Sequence, residues 1–157
     1  MKLGDKKKRA VVDTVRSILD SKGHDIVSIS PDATVYEAIA EMAHTGVGAL
    51  MVLSGRELVG IISERDYARK VILEGRSSKE TLVRHIMTSS LITVTPSYTV
   101  DECMRIMTDR RIRHLPVMEG CELQGVVSIG DLVKTIISSQ AYTIDQLHTY
   151  IAAEYPS

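Results

Sequence analysis

The chain repeats itself. Residues 26–70 lie over residues 91–135 at an offset of 65 without a gap, and thirteen of the 45 positions are identical. The identities are Pro31/Pro96, Thr34/Thr99, Val35/Val100, Glu37/Glu102, Met42/Met107, Leu50/Leu115, Val52/Val117, Gly55/Gly120, Glu57/Glu122, Leu58/Leu123, Gly60/Gly125, Ser63/Ser128 and Asp66/Asp131. Non-identical pairs keep their character, as in Ile26/Leu91, Ile29/Val94, Ile61/Val126 and Ile62/Val127. A fixed internal period marks a duplicated supersecondary unit. Each copy is too short to bury a good core alone, so the two are expected to pack on each other.

Both copies read in the same order. Residues 26–29 and 91–94 alternate as short strands. Ser30-Pro31 and Thr95-Pro96 read as an N-cap followed by proline at the first helical position. Val35, Ala38, Ile39 and Met42, and likewise Val100, Cys103, Met104 and Met107, fall at helical spacing. Strands over 50–53 and 115–118 lead into turns at Ser54-Gly55 and Glu119-Gly120, and strands over 58–62 and 123–127 return. Ser63 and Ser128 then cap a second helix. The expected class is α+β: two tandem strand–helix–strand–strand–helix repeats related by a pseudo-twofold axis, plus N- and C-terminal helices. The expected divisions are 1–16 (N-terminal helix and tail), 17–75 (first repeat), 76–140 (second repeat with a linker helix) and 141–157 (C-terminal helix).

The flanks lie outside the repeat. Val11, Val15, Ile18 and Leu19 predict an amphipathic N-terminal helix stopped by Gly23, and Gly75 closes the second helix of copy one. Ser77-Ser78-Lys79-Glu80 offers a capping box for a short helix reaching Ile86, and Thr143-Ile144-Asp145-Gln146 offers another for a C-terminal helix. Residues 1–8 and 154–157 are expected to fray.

Composition narrows the function. The 157 residues are 44% hydrophobic and 25% charged, with a net charge of −1 from 19 basic and 20 acidic side chains. That balance excludes disorder and a global footprint for nucleic acid or anionic membrane. With six Tyr and no Phe or Trp, stacking on single strands is disfavoured. Cys103 and Cys121 form neither a disulfide framework nor a CxxC site and read as buried free thiols of a reducing compartment. No apolar run approaches the ~20 residues of a membrane span. The basic run 1–9 lacks the apolar segment of a signal peptide, so a cytoplasmic chain is expected.

The sharpest repeated string is Gly-aliphatic-aliphatic-Ser-x-x-Asp, at Gly60–Asp66 and again at Gly125–Asp131. One reading is purely structural, with Ser as N-cap and Asp favouring the positive end of the helix dipole. The other adds a ligand. A carboxylate at a strand-to-helix junction can accept from both hydroxyls of a ribose, and the N–H groups of the helix turn can face phosphate.

These strings, with Ile86-Met87-Thr88 and Leu115-Pro116-Val117, resemble a tandem pair of cystathionine-β-synthase (CBS) domains, a Bateman module, over residues 17–140 or so. The resemblance implies a regulatory sensor that binds an adenosine-containing ligand (AMP, ADP, ATP or NAD) in the cleft between the copies and pairs into a homodimer. It implies ribose contacts from Asp66 and Asp131, with the hydroxyls of Ser63 and Ser128 beside phosphate. It sets Thr88 and Ser90 along the adenine in copy two, with Lys22 and Asp25 in the similar place of copy one. Val47, Gly48 and Ala49 match the strand entry that flanks the base, as do Ile112, Arg113, His114, Leu115 and Pro116. The copies differ in charge there: Gly48-Ala49 stands where copy two has Arg113-His114, and Arg65 where it has Gly130. Arg69 follows on the same helix as Arg65. Arginine suits phosphate, so two unequal sites are expected, although a solvated helix face also accounts for Arg65 and Arg69.

Other chemistry finds little support. His24, His44, His85, His114 and His148 show no paired ligand spacing. No GxSxG, P-loop or GxGxxG occurs. No enzyme and no cofactor are expected, the adenine nucleotide being a regulatory ligand. Three alternatives stay open: a pure assembly module that dimerises without nucleotide, an S-adenosylmethionine sensor, and nucleic-acid binding through residues 6–9 and 110–114. A ligand would act by linkage, shifting an equilibrium through its differential affinity for two states, with the terminal helices reporting the shift.

Overall fold

Most of the chain's regular structure starts at a threonine or serine that caps a helix. The computed structural model describes residues 13–154, with side chains as far as Ser139 and at a few positions beyond. Of the fraying expected at 1–8 and 154–157, only Glu154 is described, and it closes the last helix; the rest, and the packing of Val11, lie outside the described residues. The elements run α1 (Val15–Lys22), β1 (Ser28–Ile29), α2 (Val35–Thr45), β2 (Ala49–Ser54), β3 (Glu57–Ser63) and α3 (Glu64–Tyr67, continuing as a π-helical turn over Ala68–Ile72). A 3₁₀ turn (Val83–His85), α4 (Val100–Arg110), β4 (His114–Glu119), β5 (Glu122–Ser128) and α5 (Ile129–Glu154) follow. The class is α+β, with one three-stranded sheet in the order β1-β2-β3 and one two-stranded sheet, β4-β5.

The helix starts fall later than the prolines suggested. Thr34 and Thr99, not Ser30 and Thr95, are the N-caps of α2 and α4. Each threonine hydroxyl accepts from the N–H of Glu37 or Glu102 at 3.1 Å, and each glutamate reaches back to the threonine. The repeated glutamates are the far half of a capping box, a preference that outweighs proline at the first turn. α2 ends at Gly46 in the left-handed region (φ 73°), whereas α4 ends at Arg111 with φ 56° in the equivalent position. Copy two therefore carries a strained non-glycine where copy one uses glycine.

The chain resolves into two compact units. One comprises His24–Thr93 with Met118–Gly125, and the other the residues up to Gly23, Val94–Val117 and the residues from Val126 onward.

In the His24–Thr93 unit, β1 runs parallel to β2 (Ser28↔Met51, Ile29↔Val52) and β2 runs antiparallel to β3 with an irregularity at Val52/Leu53. Val35, Ala38 and Met42 of α2 pack with Leu50, Val52, Ile62, Val71, Val83 and Ile86 as its core. The linker contributes Val83 and Ile86 through a 3₁₀ turn, not the helix expected from its Ser77–Glu80 capping box. Thr34 pairs with Leu82 as an isolated bridge, and Ile61 pairs with Thr88 through N–H···O bonds of 2.8 and 2.9 Å.

The other unit repeats this plan with α1 in the linker's place. Thr14 bridges Thr99 just as Leu82 bridges Thr34. Val15, Ile18 and Leu19 are buried with Val94, Val100, Cys103, Met107, Leu115, Val117, Val127 and Leu132. Copy two's first strand shrinks to a single bridge, Val94↔Val117. α5 is continuous through Thr143–Gln146, so the second capping box expected there opens no helix. Cys103 is buried and its thiol is pushed up to about 11 by burial and by the charge of Glu102. Cys121 is exposed, contrary to the sequence expectation, because it falls on the β4–β5 turn rather than in a strand.

Gly60 holds the linker against β3. A Cβ there would meet Met87 Sδ at 2.6 Å and the carbonyl oxygen of Thr88 at 3.1 Å. Gly60→Ala is expected to cost about 1–3 kcal/mol by overpacking, seen as a lower midpoint in urea unfolding at unchanged m-value.

Candidate functional site

Each repeated motif ends a strand and starts a helix, so its serine and aspartate are locked by helix-start chemistry. Ser63 caps α3: its hydroxyl accepts from the N–H of Asp66 at 3.1 Å. Asp66 Oδ2 in return accepts from the Ser63 N–H at 3.0 Å and hydroxyl at 3.1 Å. In the other unit Ser128 Oγ accepts from the N–H of Asp131 at 3.2 Å, and Asp131 Oδ2 accepts from the N–H of Ser128 at 2.9 Å. The first helical N–H is taken as well. Glu64 donates to Gly48 O at 3.0 Å and Ile129 to Arg113 O at 2.9 Å. The structural role of Ser-x-x-Asp is thus met in full. The expectation that the N–H groups of this turn face phosphate is reduced, since three in each turn are committed within the chain.

A lysine sits on each motif carboxylate. Lys70 Nζ lies 3.1 Å from Asp66 Oδ1 and donates to Ile86 O at 2.9 Å. The Thr88 hydroxyl donates to the same Oδ1 at 3.3 Å. In the other unit Lys22 Nζ lies 2.7 Å from Asp131 Oδ2 and donates to Val126 O at 3.0 Å. Burial raises the Asp131 pKa, but hydrogen bonds from Lys22 and Ser128 and the charge of Lys22 outweigh it and hold the group below its ordinary 3.8.

These partners cross the expected pairing. By sequence Lys22 stands before copy one and Thr88 before copy two. The structure sets Lys22 on the copy-two aspartate and Thr88 on the copy-one aspartate, because α1 packs with copy two and the linker with copy one. Lys70 was not singled out from the sequence. Its i,i+4 spacing from Asp66 was the available signal.

The remaining predicted residues divide by burial. Ala49, Leu115 and Pro116 are buried, and Val47 packs against the core of its unit. Their side chains therefore hold the strand entries in place. Gly48 and Arg113 contribute the carbonyls that receive the first helical N–H. Ile112 and His114 are half-buried, while Arg113 and Gly130 are exposed beside the Asp131 motif. Arg65 and Arg69 are exposed on the helix that follows Ser63, and Asp25, Thr88 and Ser90 are exposed outside the helices. Among the described residues no group of three or more His, Cys, Asp or Glu is placed to hold a metal ion. No helix among them is long and apolar enough to cross a membrane.

A repeated strand–helix–strand–strand–helix unit with this junction defines a tandem regulatory module. The CBS-domain model matches residues 15–72 and 83–138, and the chain belongs to that family. It is 43% identical over 151 residues to the mitochondrial CBS domain-containing protein CBSX3 of Arabidopsis thaliana, covering 90% of this chain and 73% of that one. A solved protein with CBS domains from Burkholderia ambifaria is 50% identical, with a TM-score of 0.80 over 82% of this chain and 96% of that one. The CBS domain pair of protein MJ0100, solved with 5′-methylthioadenosine and S-adenosyl-L-methionine, shares the fold at 22% identity and a TM-score of 0.72, over 81% of this chain and 98% of that one.

The lowered Asp131 pKa makes a pH-dependent contribution. Stability from the Lys22–Asp131 pair is present above the ordinary carboxylate value and is lost as pH falls through the lowered one. In Lys22→Met the main lowering influences are gone, so the fall in stability on acidification is expected to be smaller than in wild type. Urea midpoints measured from pH 7 down to pH 2.5 for both proteins check the difference.

Proposed function

We propose that this chain is a non-catalytic regulatory module that binds adenosine-containing nucleotides through a Ser-x-x-Asp carboxylate. The observation that carries the reading is the Asp131 carboxylate, held at a strand–helix junction with Lys22 Nζ 2.7 Å away. A fixed carboxylate suits a ribose cis-diol, and an adjacent ammonium suits phosphate. Arg113, exposed on the strand entry of the same unit, adds a second cation. That charge favours AMP, ADP, ATP or NAD over S-adenosylmethionine, whose sulfonium is positive. The ligand would stabilise one conformational state in proportion to its differential affinity.

The protein acts as a homodimer in this reading. Ile72 and Leu73 in one unit and Val133 and Ile137 in the other are exposed, at 56%, 79%, 41% and 59% of full accessibility. Apolar surface of that kind following each motif suits self-association. The two free cysteines fit a reducing, cytoplasm-like compartment.

The test is a thermal-shift series on protein stripped of carried-over nucleotide. At 100 times its dissociation constant a ligand stabilises by ~2.7 kcal/mol, which raises the melting temperature by roughly 5–10 °C at this length. AMP, ADP, ATP or NAD is expected to produce that shift, and the 2′,3′-dideoxy analogue of the active ligand is not. No shift with any adenosine ligand would leave the assembly module as the better reading. Light scattering is expected to give a dimer mass that falls to monomer in Leu73→Glu/Ile137→Glu.

A further inference from the structure

The two motif carboxylates are spelled alike in sequence but are not equally available. An ionised aspartate offers about four acceptor positions. Asp66 meets four donors of its own chain: the N–H and hydroxyl of Ser63 on Oδ2, and Lys70 Nζ and the Thr88 hydroxyl on Oδ1. Asp131 Oδ2 accepts hydrogen bonds from the Ser128 N–H and Lys22 Nζ, and the Ser128 hydroxyl also helps to hold the carboxylate. No hydrogen bond from the described residues reaches Asp131 Oδ1. Exposure runs the same way, with 22% of the Asp131 side chain accessible against 13% for Asp66.

We infer that Asp131 is the one motif carboxylate open to a ribose cis-diol, and that Asp66 is closed by Lys70 and Thr88 and serves as a structural clasp. The inference rests on the nucleotide reading above and says which copy does the binding. Two hydroxyls need two acceptor positions, and the Oδ1 atom of Asp131 supplies both. At Asp66 a diol would have to displace an ammonium and a hydroxyl whose removal leaves other groups unpaired, at a cost close to what the diol returns. The clasp has work of its own. Lys70 and Thr88 tie α3 to residues 86–88, the stretch that also pairs with Ile61 and closes over Gly60.

The differences between the copies make this specific. Copy two has Thr135 at the position of Lys70, and its hydroxyl donates to the Asp131 backbone carbonyl at 3.0 Å instead of to the carboxylate. The i,i+4 ammonium that closes Asp66 therefore has no equivalent on α5. Lys22 reaches Asp131 from the end of α1 and engages one oxygen only.

The experiment is calorimetric titration of the full chain with AMP, ADP, ATP, NAD and S-adenosylmethionine in turn, comparing wild type with Asp131→Asn and Asp66→Asn. Asparagine keeps a side-chain acceptor for each cap, and circular dichroism checks that both variants fold. The expected result is one ligand per chain, an affinity loss of at least about tenfold in Asp131→Asn, and a change within about twofold in Asp66→Asn. Asp66→Asn is expected to lower the melting temperature while leaving binding in place. Two equivalent sites per chain, or a loss in Asp66→Asn as large as that in Asp131→Asn, would overturn the assignment while leaving the nucleotide reading intact. Silence from all five ligands with wild-type protein would remove the nucleotide reading, and this assignment with it.

Discussion

The reciprocal hydrogen bonding of a serine and an aspartate three residues apart is the constraint on which the site depends. At Ser63/Asp66 and at Ser128/Asp131 the hydroxyl takes the aspartate N–H and the carboxylate takes the serine N–H. This starts a helix where a strand stops. It also fixes a carboxylate at the junction with one edge committed to the fold. Whatever the carboxylate does for a ligand, it must do with the acceptor positions that remain, so the count of its other partners matters more than the motif's spelling.

Those partners come from segments outside the motif. Lys70 follows on the same helical stretch, whereas Lys22 and Thr88 arrive from α1 and the linker. The two segments play the same part in their units. Thr14 bridges Thr99 as Leu82 bridges Thr34, and Val15 and Ile18 fill one core as Val83 and Ile86 fill the other. Equal duty does not bring equal chemistry. The linker lays a threonine hydroxyl on its aspartate and leaves the ammonium to Lys70, while α1 brings an ammonium of its own. Duplication thus produced two similar scaffolds whose polar contacts at the motif diverge.

Much of the fold was legible because it follows from local rules. The four hairpin strands come from short aliphatic runs around Gly55 and Gly120, whose positive φ values of 64° and 63° make tight turns. The duplicated cores were visible in the helical spacing of Val35, Ala38 and Met42 against Val100, Cys103 and Met107, all of which are buried. Misreadings came where two local signals competed. Proline at 31 and 96 pointed to a helix start, but the Thr–Glu capping boxes at 34/37 and 99/102 satisfy more orphan N–H groups and set it four residues later. A capping box at 143–146 lies within a helix already under way from Ile129, and so caps nothing.

From the sequence alone follow the duplication, the α+β class, the Ser63 and Ser128 helix caps, and the family to which the chain belongs, because each is written in residue type at short spacing. The tertiary structure decided which flanking segment serves which copy, and hence that Lys22 stands on Asp131 while Thr88 stands on Asp66. The reason is physical. An aspartate's availability depends on donors delivered across long loops by the burial of Val15, Ile18 and Leu19 on one side and of Val83 and Ile86 on the other. Such burial is non-directional and proportional to area, so no spacing rule in the sequence records where it brings a lysine to rest.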